Sequence, residues 1–69
     1  MSVYRVTEII GTSPNGWEDA ARTALATAAG TLRNLRVAEV VEQDIALDDD
    51  GRIESYRTKL RISFKYEKE

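Results

Sequence analysis

The most regularly spaced charged residues of this chain lie near its C-terminal end. They alternate along a strand-like segment and comprise Arg57, Lys59, Arg61 and Lys65. Such a row of cations could contact phosphates, but no aromatic residue interleaves it on the same face. The chain also has 10 basic against 12 acidic residues, a formal net charge of −2. We therefore expect a polar face, solvated or paired with strand acids such as Glu39 and Glu42 of its own or a neighbouring copy, and no nucleic-acid partner.

Two acidic segments could hold a hard cation. Residues 48–51 read Asp-Asp-Asp-Gly, but contiguous acids do not have the alternate spacing of an EF-hand loop, so a charged hairpin tip is favoured. Residues 42–44 read Glu-Gln-Asp and place two carboxylates on one strand face. They form a cation or polar-ligand site only if a second chain supplies further oxygens, and a solvated strand is the simpler interpretation.

Other catalytic or anion-binding chemistry has little support in the sequence. The chain contains no cysteine and no histidine, which excludes thiolate zinc sites, cysteine nucleophiles and imidazole bases. No pair of the remaining acids, lysines and tyrosines has a spacing that indicates acid–base catalysis, so we expect no enzyme. Thr12 and Ser13 precede a predicted helix and could bind an anion, but turn and cap chemistry explains them without a ligand and is favoured.

The elements that must position these residues follow from periodicity and turn signals. Residues 3–10 are predicted as a strand that stops at Gly11, and a helix is predicted from near Gly16 to residues 33–34. Asn15 with Glu18 resembles a capping box. Residues 36–47 are predicted as the second strand, followed by the hairpin turn at 48–51. One apolar stripe of this helix is expected to pack against the sheet, with Trp17 in a packing role and not as a ligand platform. The stripe comprises Trp17, Ala20, Ala21, Ala24, Leu25, Ala28 and Leu32.

The last strand alternates strictly, which assigns its two faces. Tyr56, Thr58, Leu60, Ile62, Phe64 and Tyr66 face one way, and the basic row faces the other. The order β-α-β-β predicts an α+β fold in which a three-stranded antiparallel-type sheet partly wraps around one helix. We expect one domain over residues 1–69. One helix covers only one face of such a sheet, so packing against further copies of the chain is expected.

No apolar segment reaches the length of a membrane span, and the N-terminus enters a strand pattern with no signal-peptide core. We therefore expect a cytoplasmic protein with no membrane partner.

Several strings, in this order and spacing, resemble the dodecin family of small flavin-binding proteins. They are Val-Tyr-Arg-Val at 3–6, Glu-Ile-Ile-Gly-Thr-Ser-Pro at 8–14, Trp-Glu-Asp-Ala at 17–20, Thr-Leu-Arg-Asn-Leu at 31–35 and Ala-Glu-Val at 38–40. The resemblance covers nearly the whole chain. It implies a hollow homododecamer without catalysis, in which flavin (FMN or riboflavin) is held as stacked pairs between tryptophans at subunit contacts.

The resemblance also assigns site positions, and two of them differ from the flavin-binding pattern. The flavin-pocket positions are Val37, Asp44, Arg57 and Lys65. Val37 stands where the stacking tryptophan is expected, and Arg57 stands where a glutamine contacts the isoalloxazine edge. The string Val-Glu-Gln-Asp at 41–44 looks more like the calcium dodecin branch, which implies a cation site with Asp44 and Asp48 as candidate ligands.

A further contact implied by the resemblance is with coenzyme A, at Thr31, Leu32 and Arg33, where the arginine would pair with phosphates. The sequence as a whole predicts a non-enzymatic, dodecin-like shell that binds or sequesters a small ligand or calcium, with reduced or no flavin affinity. Two alternatives stay open. One is a flavin storage and buffering protein, and the other is a structural scaffold without a ligand.

Overall fold

The strand order of the sheet is the feature that determines the fold. The computed structural model describes residues 2–65. It contains β1 (Tyr4–Ser13), α1 (Trp17–Ala29), β2 (Leu35–Leu47) and β3 (Ile53–Lys65). The sheet order is β1-β3-β2, and β3 is antiparallel to both neighbours. The predicted β-α-β-β topology is therefore confirmed. The predicted facing of Tyr66 lies outside the described residues.

The core forms where one face of β3 meets α1. Thr58, Leu60 and Ile62 are fully buried on that face, as their alternation predicts. The helix contributes Ala20, Ala24 and Ala28, all buried and spaced four residues apart. Small side chains at this spacing let the helix approach the sheet closely. The predicted helix face is therefore correct, with the three alanines at its centre.

Gly11 marks the closest approach of α1 to β1. A Cβ atom at this position would lie 2.8 Å from the Cβ of Ala24 and would also collide with the carbonyl oxygen of Ala20. The prediction that β1 stops at this glycine is wrong. Pairing with β3 continues to Ser13, which lies opposite Tyr56. The glycine is needed for the helix contact, and it does not interrupt the strand.

The start of α1 lies where the sequence predicts it, but the capping is different. Gly16 is the N-cap residue, with φ 156°, and no side chain caps the helix. The capping box expected from Asn15 and Glu18 is therefore wrong. The turn is held by the Ser13 hydroxyl, which accepts the Asn15 N–H at 3.0 Å and donates to Asp19 at 2.6 Å.

The end of α1 differs from the prediction, because the helix stops at Ala29 and not at residues 33–34. Leu35 must lie opposite Phe64 in the sheet, so the chain has to leave the helix axis early. Gly30 and Asn34 are the positions where it does so. The N–H of Gly30 bonds back to the Thr27 carbonyl at 3.1 Å, and Asn34 adopts φ 60° immediately before β2.

The strand β2 extends away from the helix-covered part of the molecule. Its residues are mostly exposed, and three register shifts interrupt its pairing with β3. The molecule measures 52 × 20 × 16 Å and has a radius of gyration of 14.2 Å. A compact domain of this length would have about 11 Å. In the described part of the chain, no helix is long and apolar enough to span a membrane.

Candidate functional site

The sheet face opposite the helix, hereafter the open face, carries the basic row of β3. Cross-strand pairing gives each arginine of this row one partner on β1 and one on β2. Arg57 lies opposite Thr12 of β1 and Asp44 of β2. Arg61 lies between Glu8 and Glu39 in the same way. The expected pairing of these cations with strand acids is confirmed, and it occurs within a single chain.

The best-defined contact on the open face joins Arg57 to Asp44. The Nε of Arg57 donates to Asp44 Oδ1 at 2.7 Å, and its second nitrogen donates to Oδ2 at 3.0 Å. Both side chains are 43% exposed. The hydrogen bond from Arg57 lowers the pKa of Asp44 from its ordinary value, and the same bond raises the pKa of Arg57. This two-point geometry fixes the orientation of both groups.

Three further ion pairs extend the network. Arg61 donates to Glu8 through two nitrogens, at 3.0 and 2.9 Å, and to Glu39 at 3.4 Å. These carboxylates raise the pKa of Arg61, chiefly through its hydrogen bond to Glu8. The Nζ of Lys59 lies 3.7 Å from the Glu42 carboxylate. The three cations of the row at 57, 59 and 61 are therefore matched by acids, which removes the positive field that a phosphate backbone would need.

A small cavity of about 80 Å³ lies within this network, lined by Ile10, Glu42, Asp44, Arg57 and Lys59. Ligand pockets for small molecules are typically about 300–1,000 Å³. The cavity of a single chain is therefore too small for a tricyclic ring. Its two acids and two cations compensate each other, so it favours small polar or ionic groups over a large aromatic one.

The four flavin-pocket positions implied by the resemblance all lie on this open face. Val37 is 60% exposed and pairs with Ser63 in the sheet. Lys65 lies opposite Tyr4 at the end of β3. Asp44 and Arg57 are engaged with each other. The face therefore presents an aliphatic side chain and a closed ion pair at these positions.

The two candidate calcium ligands have different structural environments. Asp44 is held by Arg57, whereas Asp48 holds the β2–β3 hairpin. The Oδ1 of Asp48 accepts the N–H groups of Asp50 and Arg52, each at 2.9 Å. The predicted charged hairpin tip is thereby confirmed. Within residues 2–65, no three acidic, histidine or cysteine side chains are grouped closely enough to hold a metal ion.

Trp17 connects α1 to the hairpin. Its Nε1 donates to the main-chain carbonyl of Asp44 at 3.0 Å, and its ring meets Tyr56 edge to face at a centroid distance of 5.2 Å. Thr58 donates to the Trp17 carbonyl at 2.9 Å. The expectation of a packing role for Trp17 is confirmed. Its indole N–H also holds the main chain of Asp44, one of the two candidate calcium ligands.

The favoured interpretation of Ser13 as a turn residue is confirmed, because its hydroxyl accepts the Asn15 N–H, and the alternative anion site at Thr12 and Ser13 is not formed. The Ser13 side chain is buried and its hydroxyl donates to the Asp19 carboxylate, so a protein acid already occupies the place of the anion. Thr12 pairs with Arg57 in the sheet.

The three coenzyme A positions lie in the link between α1 and β2. Thr31 and Leu32 border a groove of about 510 Å³ between α1 and β1, whereas Arg33 is exposed and does not line it. Sequence reasoning missed the other residues of this groove, in particular Arg5, Thr23 and Thr27. The signal available in the sequence was the four-residue spacing of Thr23, Thr27 and Thr31, which puts three hydroxyl groups on one helix face.

Comparisons with known proteins agree on one family. A family model described as Dodecin matches residues 3–67. The calcium dodecin of Mycobacterium tuberculosis is 54% identical over 65 residues, which cover 94% of this chain and 90% of the relative. The structure of that calcium-chelating antigen, described with a novel calcium-binding site, superposes with a TM-score of 0.84 at 52% identity, over 96% and 93% of the two chains. Dodecin from Streptomyces coelicolor gives a TM-score of 0.90 at 37% identity, over 99% and 96%.

Proposed function

Since this chain belongs to the dodecin family, we propose that it is a calcium-type dodecin. Twelve copies form a hollow shell, which is the assembly known for dodecins. The shell binds or sequesters a cation or a small polar ligand, performs no catalysis, and has little or no affinity for flavin.

The observation that carries this proposal is the composition of the open face. A bidentate Arg57–Asp44 pair closes a cavity of about 80 Å³. Val37, which pairs with Ser63 further along β3, adds no aromatic surface to this face. Stacking on an aromatic side chain contributes about 1–3 kcal/mol per ring in comparable base-stacking sites. The valine at position 37 provides no such stacking energy to a flavin ring. Carboxylates, in contrast, are the ligands that calcium prefers.

Calcium binding in this proposal depends on assembly. Calcium takes about 6–8 oxygen ligands, and the described part of one chain does not group three acids. Several copies that meet at their open faces would combine carboxylates such as Asp44 and Glu42. A calcium ion at Asp44 would compete with the guanidinium of Arg57, because each carboxylate oxygen already accepts a hydrogen bond from it.

Native mass spectrometry tests assembly and calcium binding in one measurement. Twelve copies of the 7.8 kDa chain give a species of about 94 kDa, to which calcium should add discrete mass increments. Asp44→Asn should reduce the calcium occupancy. Asp50→Asn is the control and should leave the occupancy unchanged, because Asp50 is an exposed hairpin residue whose carboxylate accepts no hydrogen bond within residues 2–65. A monomer, or a shell that takes up no calcium at any concentration, would contradict the proposal. The second result would favour the ligand-free scaffold.

A flavin titration tests the other half of the proposal. The wild-type protein should leave the fluorescence of added riboflavin unchanged and should purify without yellow colour. The double variant Val37→Trp, Arg57→Gln restores the aromatic face and opens the ion pair, so it should quench the fluorescence. Val40→Trp provides the matched control, because Val40 is an exposed valine of the same strand that faces the helix side. Quenching by the wild-type protein would favour the flavin-buffering alternative.

A further inference from the structure

The groove between α1 and β1 is separate from the open-face cavity, and Ile10 alone borders both. Its volume of about 510 Å³ lies within the range of small-molecule pockets. β1 is an edge strand of the sheet, so no further strand of the described chain closes this side. The apolar floor of the groove consists of Ile9, Ala24, Ala28, Leu32 and Phe64.

Hydroxyl groups line the sides of the groove. Thr23 and Thr27 lie on one face of α1, Thr31 follows just after the end of the helix, and β1 contributes Thr7 and Thr12. Thr31 donates to the Ala28 carbonyl at 3.4 Å. Threonine hydroxyls donate and accept hydrogen bonds, and a few such groups around an apolar floor orient a bound molecule. The arrangement matches an amphipathic ligand better than a purely apolar one.

Among residues 2–65, Arg5 is the one charged residue that lines the groove. Its guanidinium carbon lies 5.6 Å from the centre of the Phe64 ring, a cation–π contact that holds it over the floor. The ion pairs formed among residues 2–65 involve Arg22, Arg57, Lys59 and Arg61, and none involves Arg5. The groove therefore has a positive charge that the described chain leaves uncompensated, in contrast to the matched charges of the open face.

We propose that this groove binds an amphipathic monoanion, a molecule with an elongated apolar body and one negatively charged head group. The body lies on the apolar floor between the threonines, and the head group pairs with Arg5. A single cation matches a single negative charge, so a carboxylate or sulfonate fits better than a nucleotide with several phosphates. This site is independent of the calcium proposal, because neither Asp44 nor Asp48 lines the groove.

Two fluorescent probes with the same aromatic body test the role of Arg5. Anilinonaphthalene sulfonate has one negative charge, and N-phenyl-1-naphthylamine has none. The assembled protein should bind both probes. Arg5→Gln should weaken binding of the sulfonate by up to about fivefold, the range of exposed ion pairs, and leave the uncharged probe unchanged. Arg36→Gln, an exposed arginine outside the groove, is the matched control.

Filling the groove tests its location. Thr27→Trp should reduce the affinity for both probes by about tenfold or more, whereas Thr27→Val keeps the volume and should retain binding within about twofold. Ala26→Trp adds the same bulk at an exposed helix position outside the groove and should retain binding. Native mass spectra of each variant confirm assembly before titration.

Four results would overturn the proposal. The first is no binding of either probe to the assembled protein, which would mean that a second copy covers the groove. The second is equal loss of both probes on Arg5→Gln. The third is unchanged binding by an assembled Thr27→Trp variant. The fourth is a loss of sulfonate binding on Arg57→Gln that Arg5→Gln does not produce, since that would place the probe on the open face.

Discussion

The two neighbours of β3 have very different environments, although both pair with the same strand. On one side, Ile9 of β1 lies opposite Leu60 and packs against the core under α1. On the other side, Val40 of β2 lies opposite the same Leu60 and is 53% exposed. The helix thus covers β1 and β3 but leaves β2 open. The stability of the isolated chain is concentrated in the covered half.

The half of the sheet that the helix leaves uncovered, formed by β2 and the start of β3, is not polar. Exposed apolar side chains follow β2 and the start of β3, namely Val37, Val40, Val41, Ile45, Leu47 and Ile53. A monomeric protein rarely exposes so many neighbouring apolar side chains. The helix thus completes the packing of only one face of β1 and β3, and the apolar surface of β2, like Val6 and Ile10 on the open face of β1, suits contact with further copies. Four changes of decreasing effect test this division.

The largest effect is expected for Leu60→Ala. Leu60 is 1% exposed, so its truncation should lower the free energy of unfolding by about 2–5 kcal/mol in urea denaturation. Val40→Ala, at the position opposite in the sheet, should cost less than about 1 kcal/mol in dissociated protein. An equal cost at both positions would show that β2 is packed even in the single chain.

Gly11→Ala should produce the next largest loss. Its added methyl group collides with the Ala20 carbonyl and lies 2.8 Å from Ala24 Cβ, which should cost about 1–3 kcal/mol. Gly30→Ala is the control, because its φ of −73° is compatible with alanine, and we expect a change below about 1 kcal/mol. Thermal unfolding of both variants measures the contrast. A tolerated Gly11→Ala would mean that the helix does not approach β1 so closely in solution.

Trp17→Phe tests the connection between the halves. It keeps an aromatic ring near Tyr56 but removes the hydrogen bond to the Asp44 carbonyl, which should cost about 1 kcal/mol. Tyr56→Phe preserves the edge-to-face contact, so its melting temperature should change less. If the two variants melted alike, the hydrogen bond would not contribute to holding the hairpin against α1.

The smallest effect concerns the ion pair of Asp44 with Arg57. Because the folded-state pKa of Asp44 is lowered, the pair stabilises the fold fully above the ordinary pKa of 3.8. This contribution is lost as the pH falls through the lower folded value. A carboxyl carbon NMR titration of Asp44 should show the lowered pKa, and Arg57→Gln should return it towards 3.8. An unshifted wild-type titration would mean that the pair is open in solution.

Much of the fold could be predicted from the sequence because the relevant signals are local. The alternation of β3 assigns Leu60 and Ile62 to the core side, since side chains of a strand repeat with period two. The helix face follows in the same way from the spacing of its alanines. Turn residues located the β2–β3 hairpin, and the order of elements predicted the sheet topology.

The candidate site was harder to predict. The sequence indicated that Arg57 would be paired with an acid, but it did not select Asp44. That choice depends on the register of β2 on β3, which shifts between Val40 and Glu42. A bulge of this kind moves every later residue by one position, and it leaves no mark in the periodicity of the strand.

The sequence by itself determined the elements, their faces, the absence of histidine and cysteine chemistry, and the family. The tertiary structure alone decided three things: the early end of α1 at Ala29, the closed pair between Asp44 and Arg57, and the groove that places Arg5 over Phe64. Each of these depends on contacts between residues far apart in the chain. Periodicity and propensity report only on neighbours in sequence, so distances across the sheet and between helix and strand require the folded chain.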